Sequence, residues 1–332
     1  MERTAIINLA TDLTRGHVAG NYAAGESSEV LRQALIEANG GSTKVDLKSL
    51  RRNKAEIFDL LEAIMPVVVA EGLKGDEFFM NYVDDREVAA GDSLTFVAED
   101  QTNFIVSEIA DGIARPRRQR IDQKTSVTVP TTWHAVRVYD EWSRFMAGRI
   151  DWNELVDRVS RSFRNAIYED IYAAMSGITA STPGLNSTYV VSGSYSEESL
   201  LAIVDHVEAA TGMKAVIVGT RPALRKCTSA VVADEAKTAY YNGGYYGKLA
   251  GVDMVAVKNV HKPGTDTFVF SDSVLYVLAT GDKPIKFVRE GDPWIEERTE
   301  GNADKTMEYT YQEKFGVGLL INGKLGKYTI SA

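Results

Sequence analysis

The sequence contains a single cysteine, Cys227, among 332 residues. One cysteine cannot form an intramolecular disulfide, which favours folding in a reducing cytoplasm. The longest apolar run, Ile64 to Ala70, contains Pro66 and is far shorter than the roughly 20 residues that a membrane-spanning helix requires. The N-terminus has no basic start followed by an apolar block, so we expect neither a signal peptide nor a membrane partner.

Signatures of catalysis are also scarce. The four histidines are scattered, and none forms the i, i+4 pair with glutamate that a helical zinc site uses: His17, His134, His206 and His261. The stretch Asn242–Leu249 resembles a phosphate-binding loop, but it lacks the first glycine and has Leu249 where a magnesium-binding hydroxyl is needed. Ser194 is not in a Gly-x-Ser-x-Gly elbow. We therefore predict no catalytic residue, cofactor or metal, although a site assembled from distant residues stays open.

The composition is that of a globular protein. Hydrophobic residues make up 44% of the chain and charged residues 25%, and the length suggests about two domains. The formal net charge is -9, from 46 acids and 37 bases. This balance opposes non-specific attraction to nucleic acid.

The charge is unevenly distributed along the chain. Residues 76–111 contain ten acids against Arg86 alone, whereas residues 112–124 carry five bases against Asp122. This pattern has three interpretations: a solvated loop, a nucleic-acid patch, or complementary contacts between subunits. Stacking aromatics are not interleaved with the arginines, which weakens the second interpretation. We favour the third, because arginine suits bidentate pairing with carboxylates. The candidate contact residues are Arg115, Arg117, Arg118, Arg120, Asp84, Asp85, Glu99 and Asp100.

A long amphipathic helix is predicted from Asp151 to Gly177. Its apolar residues recur at steps of three and four: Trp152, Leu155, Val156, Val159, Phe163, Ala166, Ile167, Ile171 and Ala174. Asp151 and Glu154 have the spacing of a capping box, and Gly177 supplies the stop.

An extended, arginine-rich segment from about Asp84 to Pro130 precedes this helix. Strands are predicted within it at Ser93–Ala98, Phe104–Ile109 and Thr125–Val129. A compact protein seldom needs so long an excursion, so we expect the segment to find its partners on another subunit.

Other elements are predicted from periodicity and from turn residues. Helices are expected at Ser28–Ala38, Lys48–Gly72 with a kink at Pro66, Glu141–Gly148, Glu197–Thr211 and Arg221–Thr228. Ala180–Gly193 is expected to be a loop of small residues. The remaining strands are expected at Trp133–Asp140, Ala215–Gly219, Asp253–Val257, Thr267–Ser271, Val274–Leu278, Ile285–Arg289, Lys305–Gly318 and Lys324–Ile330.

The order of these elements resembles that of the major capsid proteins of tailed phages, whose shell fold is shared with herpesvirus capsid floors and encapsulins. Four stretches carry the resemblance: Glu77-Phe78-Phe79, the helix end Ile171-Tyr172-Ala173-Ala174-Met175-Ser176-Gly177, Gly247 to Val255, and Arg289-Glu290 with Glu313-Lys314-Phe315-Gly316-Val317. The resemblance covers nearly the whole chain, but none of its motifs is as specific as a metal signature.

The resemblance implies an α+β fold with an N-terminal arm, an extended β-hairpin loop, a peripheral domain with a long spine helix, and an axial α/β domain. The implied boundaries are 1–49 for the arm, 50–83 and 131–178 for the peripheral domain, 84–130 for the loop, 179–280 for the axial domain, 281–316 for the peripheral return strands, and 317–332 for a C-terminal segment returning to the axial domain.

The resemblance also implies a function. The chain would self-assemble, through hexamers and pentamers, into the icosahedral virion shell of a tailed bacteriophage, in the cytoplasm of the host bacterium. It would enclose double-stranded DNA without sequence-specific binding and work with a portal protein. An encapsulin-like compartment and an α/β enzyme are the alternatives.

Two further expectations come from the same resemblance. Some members carry an N-terminal scaffolding domain of about a hundred residues, and only about fifty residues precede the first long helix here, so we expect a separate scaffolding protein. Other members crosslink a loop lysine to a neighbour's asparagine. Lys124 and Asn302 are the candidates here, and we expect no crosslink.

Overall fold

A computed structural model describes residues 37, 40–41, 52, 65–70, 72–98, 104–109, 118–119, 125–141, 152–227, 240–298, 306–321 and 324–331. The helices are α1 (Glu77–Tyr82), α2 (Trp152–Ser176), α3 (Glu197–Thr211) and α4 (Arg221–Arg225), with further helical residues at 37, 52, 65–70, 72–74 and 240–243. The strands are β1 (Val83–Val88), β2 (Thr95–Ala98), β3 (Thr125–Thr128), β4 (Thr132–Glu141), β5 (Val190–Gly193), β6 (Ala215–Gly219), β7 (Lys248–Leu249), β8 (Val252–Ala256), β9 (Val274–Ala279), β10 (Ile285–Glu290), β11 (Trp294–Arg298), β12 (Thr306–Leu319) and β13 (Gly326–Ile330).

A five-stranded sheet is built around the long strand β12. Strands β10 and β11 pair with β12 in succession along one edge, and β4 pairs along the other. Strand β1 adds in parallel to β10, with Val83 opposite Ile285. The sheet therefore joins parts of the chain about 200 residues apart.

Helix α2 packs on one face of this sheet. Its buried residues Val159, Phe163, Ile167 and Ile171 recur at steps of four along the predicted apolar face. The ring of Phe163 lies edge-on to Tyr311 of β12, with centroids 4.7 Å apart. The predicted long helix is confirmed, while the predicted cap Asp151 lies outside the described residues.

A second, six-stranded sheet has the order β5-β13-β9-β6-β8-β7. Every residue of the central strand β6 is buried, because both faces of the sheet are covered. Ile217 and Val277 face a cluster with α3, whereas Val218 and Leu278 face the cluster that contains α2. Alternating residues of the same strands thus connect the two sheets into one core.

Strands β2 and β3 form a separate two-stranded ribbon within the predicted extended loop. Its Phe96 packs with Val129, Val288 and Leu320 against the five-stranded sheet. The first residues of that predicted loop, Asp84 to Val88, belong to β1 of the sheet itself.

Two predicted strands are wrong. Residues 104–109 have no β pairing; instead, the side-chain amide of Gln119 bonds both backbone groups of Ile105. Thr267–Ser271 has only an isolated bridge at Phe268, since the Asn259 side chain bonds the backbone N–H and C=O of Phe270.

Other differences concern short elements. Val190–Gly193 was expected to be loop but forms β5, and β7 and β11 were not expected. Glu141, the expected start of a short helix, ends β4, and the rest of that helix lies outside the described residues, as does nearly all of Ser28–Ala38. None of the described helices is long and apolar enough to cross a bilayer.

Candidate inter-subunit surfaces

Three of the eight predicted contact residues lie in the described part of the chain. Asp84 and Asp85 are in β1, and Arg118 is exposed. The other five lie outside the described residues: Arg115, Arg117, Arg120, Glu99 and Asp100.

Asp84 has two cationic partners within the chain. Lys286 Nζ and Arg86 Nε lie 3.0 and 3.1 Å from its carboxylate oxygens. Burial alone would raise the pKa of Asp84, but the hydrogen bonds from Lys286 and Arg86 outweigh it and lower the pKa below its usual value. The Lys286 ammonium also lies 5.2 Å from the centre of the Phe96 ring, so this cluster ties β1, β10 and the ribbon together.

Asp85 is bound on the opposite face of the sheet by Arg289. The guanidinium also lies 3.5 Å from Glu87 and lowers the pKa of Glu313 by its charge. Burial nevertheless raises the pKa of Glu313 overall. Both predicted aspartates therefore have partners within the chain, and their role between subunits stays a prediction.

The extended loop exposes an apolar segment at residues 104–109. Phe104, Ile105, Val106 and Ile109 are all exposed, and Val106 is 95% accessible. The segment is fixed to Gln119, whose amide accepts from Ile105 N–H at 2.8 Å and donates to Ile105 C=O at 2.7 Å. Contiguous exposed apolar side chains mark protein interaction sites.

The outer face of the five-stranded sheet carries a second exposed group. Trp133, Tyr139 and Trp294 are more than half accessible and belong to strands on either side of β12. Arg137 pairs with Glu308 between them. Exposed tryptophan and tyrosine are enriched in protein interfaces.

The roots of the extended loop meet at the carboxylate of Glu290, at the end of β10. One oxygen accepts from Lys314 Nζ at 2.7 Å and from Gly91 N–H at 2.9 Å, and the other accepts from the Thr131 hydroxyl. Glu290 thus attaches both ends of the extended loop to the five-stranded sheet. The two exposed surfaces described above are available for contacts with other proteins.

The sequence profile of the family described as "SPbeta prophage-derived putative capsid protein YonB" matches residues 19–329. The chain belongs to this phage capsid family.

Two solved structures share its fold. The capsid of a native GTA particle is 11% identical, with a TM-score of 0.53. The match covers 75% of this chain and 88% of the GTA capsid chain. The capsid of cyanophage P-SCSP1u is 11% identical, with a TM-score of 0.50. The match covers 76% of this chain and 88% of the cyanophage chain. No curated protein shows a significant match.

The capsid family confirms the main predictions. The protein is a phage major capsid protein of α+β fold, it assembles with itself into the shell of the virion, and it is a structural protein and not an enzyme. The family match favours this function over the encapsulin-like and enzymatic alternatives.

Two side chains of types that enzymes use, His134 and Cys227, are packed into the structure of the capsid protein. His134 stacks on Phe315 at 3.8 Å, and burial raises the pKa of the Cys227 thiol to about 12. Residues 242–243 are helical, and the stretch continues through bends to β7 at Lys248 and Leu249. No cluster of metal-binding side chains occurs among the described residues. The crosslink candidates Lys124 and Asn302 lie outside them.

Sequence reasoning missed Glu290 and the exposed aromatic face. Glu290 lies 24 residues from Lys314 and 199 from Gly91, so no local pattern links them. The alternation of Trp133, Ala135, Arg137 and Tyr139 along one predicted strand was the available signal for the exposed face.

Proposed function

We propose that this capsid protein forms hexamers and pentamers, in which the extended loop of each subunit lies across a neighbouring subunit. The exposed apolar segment at residues 104–109 carries the proposal, because a loop that presents Phe104, Ile105 and Val106 to solvent needs a partner surface. The N-terminal arm is proposed to lie across neighbours in the same way.

The two sheets support the proposed domain assignment. The five-stranded sheet with α2 is proposed as the peripheral domain, and the six-stranded sheet with α3 as the axial domain around the hexamer and pentamer axes. Strand β13 lies between β5 and β9, which supports the return of the C-terminal segment to the axial domain. Several weak contacts engaged at once then stabilise the shell.

Packaged double-stranded DNA is the proposed content of the shell, without sequence-specific contacts. The net charge of -9 supports a lining that does not bind phosphates tightly. Isolated capsomers should therefore bind DNA weakly and with a shallow dependence on salt; a steep decrease in affinity with salt would contradict this. A separate scaffolding protein, a portal and assembly in the host cytoplasm are proposed on the family resemblance alone.

Negative-stain electron microscopy of the chain, expressed together with the proposed scaffolding protein, tests the assembly. Closed particles of megadalton mass are expected from the wild type, and the Val106→Asp variant should remain as subunits or capsomers. Compact monomers from the wild type, or normal particles from the variant, would overturn the proposed role of the loop.

A further inference from the structure

A single carboxylate holds both ends of the extended loop. The departing end passes through Gly91, whose N–H donates to Glu290 Oε1 at 2.9 Å. The returning end passes through Thr131, whose hydroxyl donates to Glu290 Oε2. Lys314 of β12 supplies the third contact, from Nζ to Oε1 at 2.7 Å. Glu290 thus connects the two loop ends to each other and to two strands of the sheet.

This carboxylate is well shielded from solvent, with a side chain that is 5% exposed. The hydrogen bonds from Lys314, Thr131 and Gly91, in that order of importance, lower the pKa of Glu290 to about 2. The group is therefore an anion at neutral pH, with donors on both of its oxygens. Charge-assisted bonds of this kind are shorter and stronger than neutral ones.

The backbone around the loop ends is also closely packed. Gly291 N–H donates to Val88 C=O at 2.9 Å beside the departing end. At the returning end, a Cβ on Gly316 would lie 2.0 Å from the Pro130 carbonyl oxygen. The loop therefore cannot pivot at its ends unless these contacts break.

We propose that Glu290 is a positioning residue for shell assembly, which fixes the direction in which the extended loop leaves the subunit. The inference rests on the proposed function, in which the loop contacts a neighbouring copy. Residues 104–109 follow Ala98, the last residue of β2, by six positions or more, so extended chain could carry them roughly 20 Å beyond the ribbon. At that distance a tilt of the ribbon by about 10° displaces the segment by roughly 3 Å, about the length of a hydrogen bond.

The matched comparison is Glu290→Gln against Glu87→Gln. Both substitutions remove one carboxylate charge from the five-stranded sheet, but the Glu87 side chain is 71% exposed and pairs with Arg289 instead of Gly91 or Thr131. The first measurement is hydrogen exchange of unassembled subunits. We expect the peptide that covers Gly91 to exchange roughly 10-fold faster in Glu290→Gln and unchanged in Glu87→Gln.

The second measurement is the diameter distribution of particles, determined by negative-stain electron microscopy. If Glu290 only stabilised the subunit, this distribution would not change. We expect Glu290→Gln to lose most particles of wild-type diameter in favour of open or irregular ones, while Glu87→Gln assembles normally. Thr131→Val removes one contact only and should give the same defect to a smaller extent. If Glu290→Gln does not fold, the particle diameters of Thr131→Val alone test the proposal.

Val106→Asp separates the two proposals. If Val106→Asp assembles normally, the loop contact is wrong, and the inference about Glu290 is wrong with it. If Val106→Asp blocks assembly but Glu290→Gln and Thr131→Val give wild-type particles in wild-type yield, only the role of Glu290 is overturned.

Discussion

The guanidinium of Arg289 binds both carboxylate oxygens of Asp85, with Nη2–Oδ2 at 2.8 Å and Nε–Oδ1 at 3.3 Å. The two residues lie 204 positions apart, on the neighbouring parallel strands β1 and β10. Their side chains are 17% and 21% exposed. This fork geometry fixes direction as well as distance. The pair therefore helps to hold β1, the strand from which the extended loop leaves.

Arg289→Met should destabilise the subunit, because it leaves Asp85 partly buried without its cation. We expect the free energy of unfolding to fall by roughly 2–3 kcal/mol. Arg86→Met is the control, because Arg86 is 58% exposed and its ion pair with Asp84 should contribute about 1 kcal/mol or less. Urea denaturation of unassembled subunits measures both values. Equal losses of unfolding free energy in the two variants would contradict the stabilising role assigned to the Arg289–Asp85 pair.

Glu313 is a carboxylate held in the core beneath the same arginine. The Tyr311 hydroxyl donates to it at 3.3 Å, yet burial raises its pKa above the ordinary 4.5. The folded chain therefore binds this proton more tightly than the unfolded chain does. The ionised carboxylate lowers stability above the folded-state pKa, and this loss is relieved as the pH falls through that pKa towards 4.5.

Glu313→Gln should remove this pH dependence. At neutral pH we expect the variant to be more stable than the wild type by on the order of 1 kcal/mol, and the difference should shrink as the pH falls towards 4.5. Thermal unfolding between pH 4.5 and 8 measures it. Glu108→Gln, at an exposed position outside any helix, should follow the wild type throughout. A variant that is less stable at pH 8 would contradict the prediction.

The elements that could be predicted from sequence are those that local patterns determine. The bounds of α3 and β6 agree with prediction, since Ser196 caps the helix, Gly212 ends it in the left-handed region, and β6 is a continuous apolar run. The strands β5, β7 and β11 have five residues or fewer, too few for an alternating pattern to be recognised. Strand β5 also depends on β13, far away in the sequence, whereas β7 pairs with the adjacent strand β8.

The candidate surface could be predicted only in part. The charge pattern drew attention to Asp84 and Asp85, but their partners Lys286 and Arg289 lie more than 200 positions away. The parallel register of β1 and β10 brings them together, and no short-range signal encodes that register. For the same reason the three contacts of Glu290 appear only in the folded chain.

Gly316→Ala should disturb the returning end of the extended loop. The new Cβ would lie 2.0 Å from the Pro130 carbonyl oxygen, so the backbone must move, and overpacking of this kind costs about 1–3 kcal/mol or more. Gly193→Ala in β5 is the control, because a Cβ there has no neighbour within 4 Å. Differential scanning calorimetry of subunits should show a lower Tm for Gly316→Ala only. An equal decrease in Tm in both variants would refute the close approach of Gly316 to the Pro130 carbonyl.

Reversing Arg117 and Arg118 to glutamate should block assembly while the subunit still folds. The change removes the net positive charge of residues 112–124, which follow ten acids in residues 76–111. Arg118 is exposed, so its own substitution should change subunit stability by no more than about 0.5 kcal/mol. Arg117→Lys with Arg118→Lys keeps the charge but loses bidentate pairing, and should assemble in lower yield. Sedimentation velocity separates particles from subunits. Particles of normal size and yield from the double glutamate variant would show that these arginines are only a solvated part of the loop, since complementary contacts do not survive reversal of one partner.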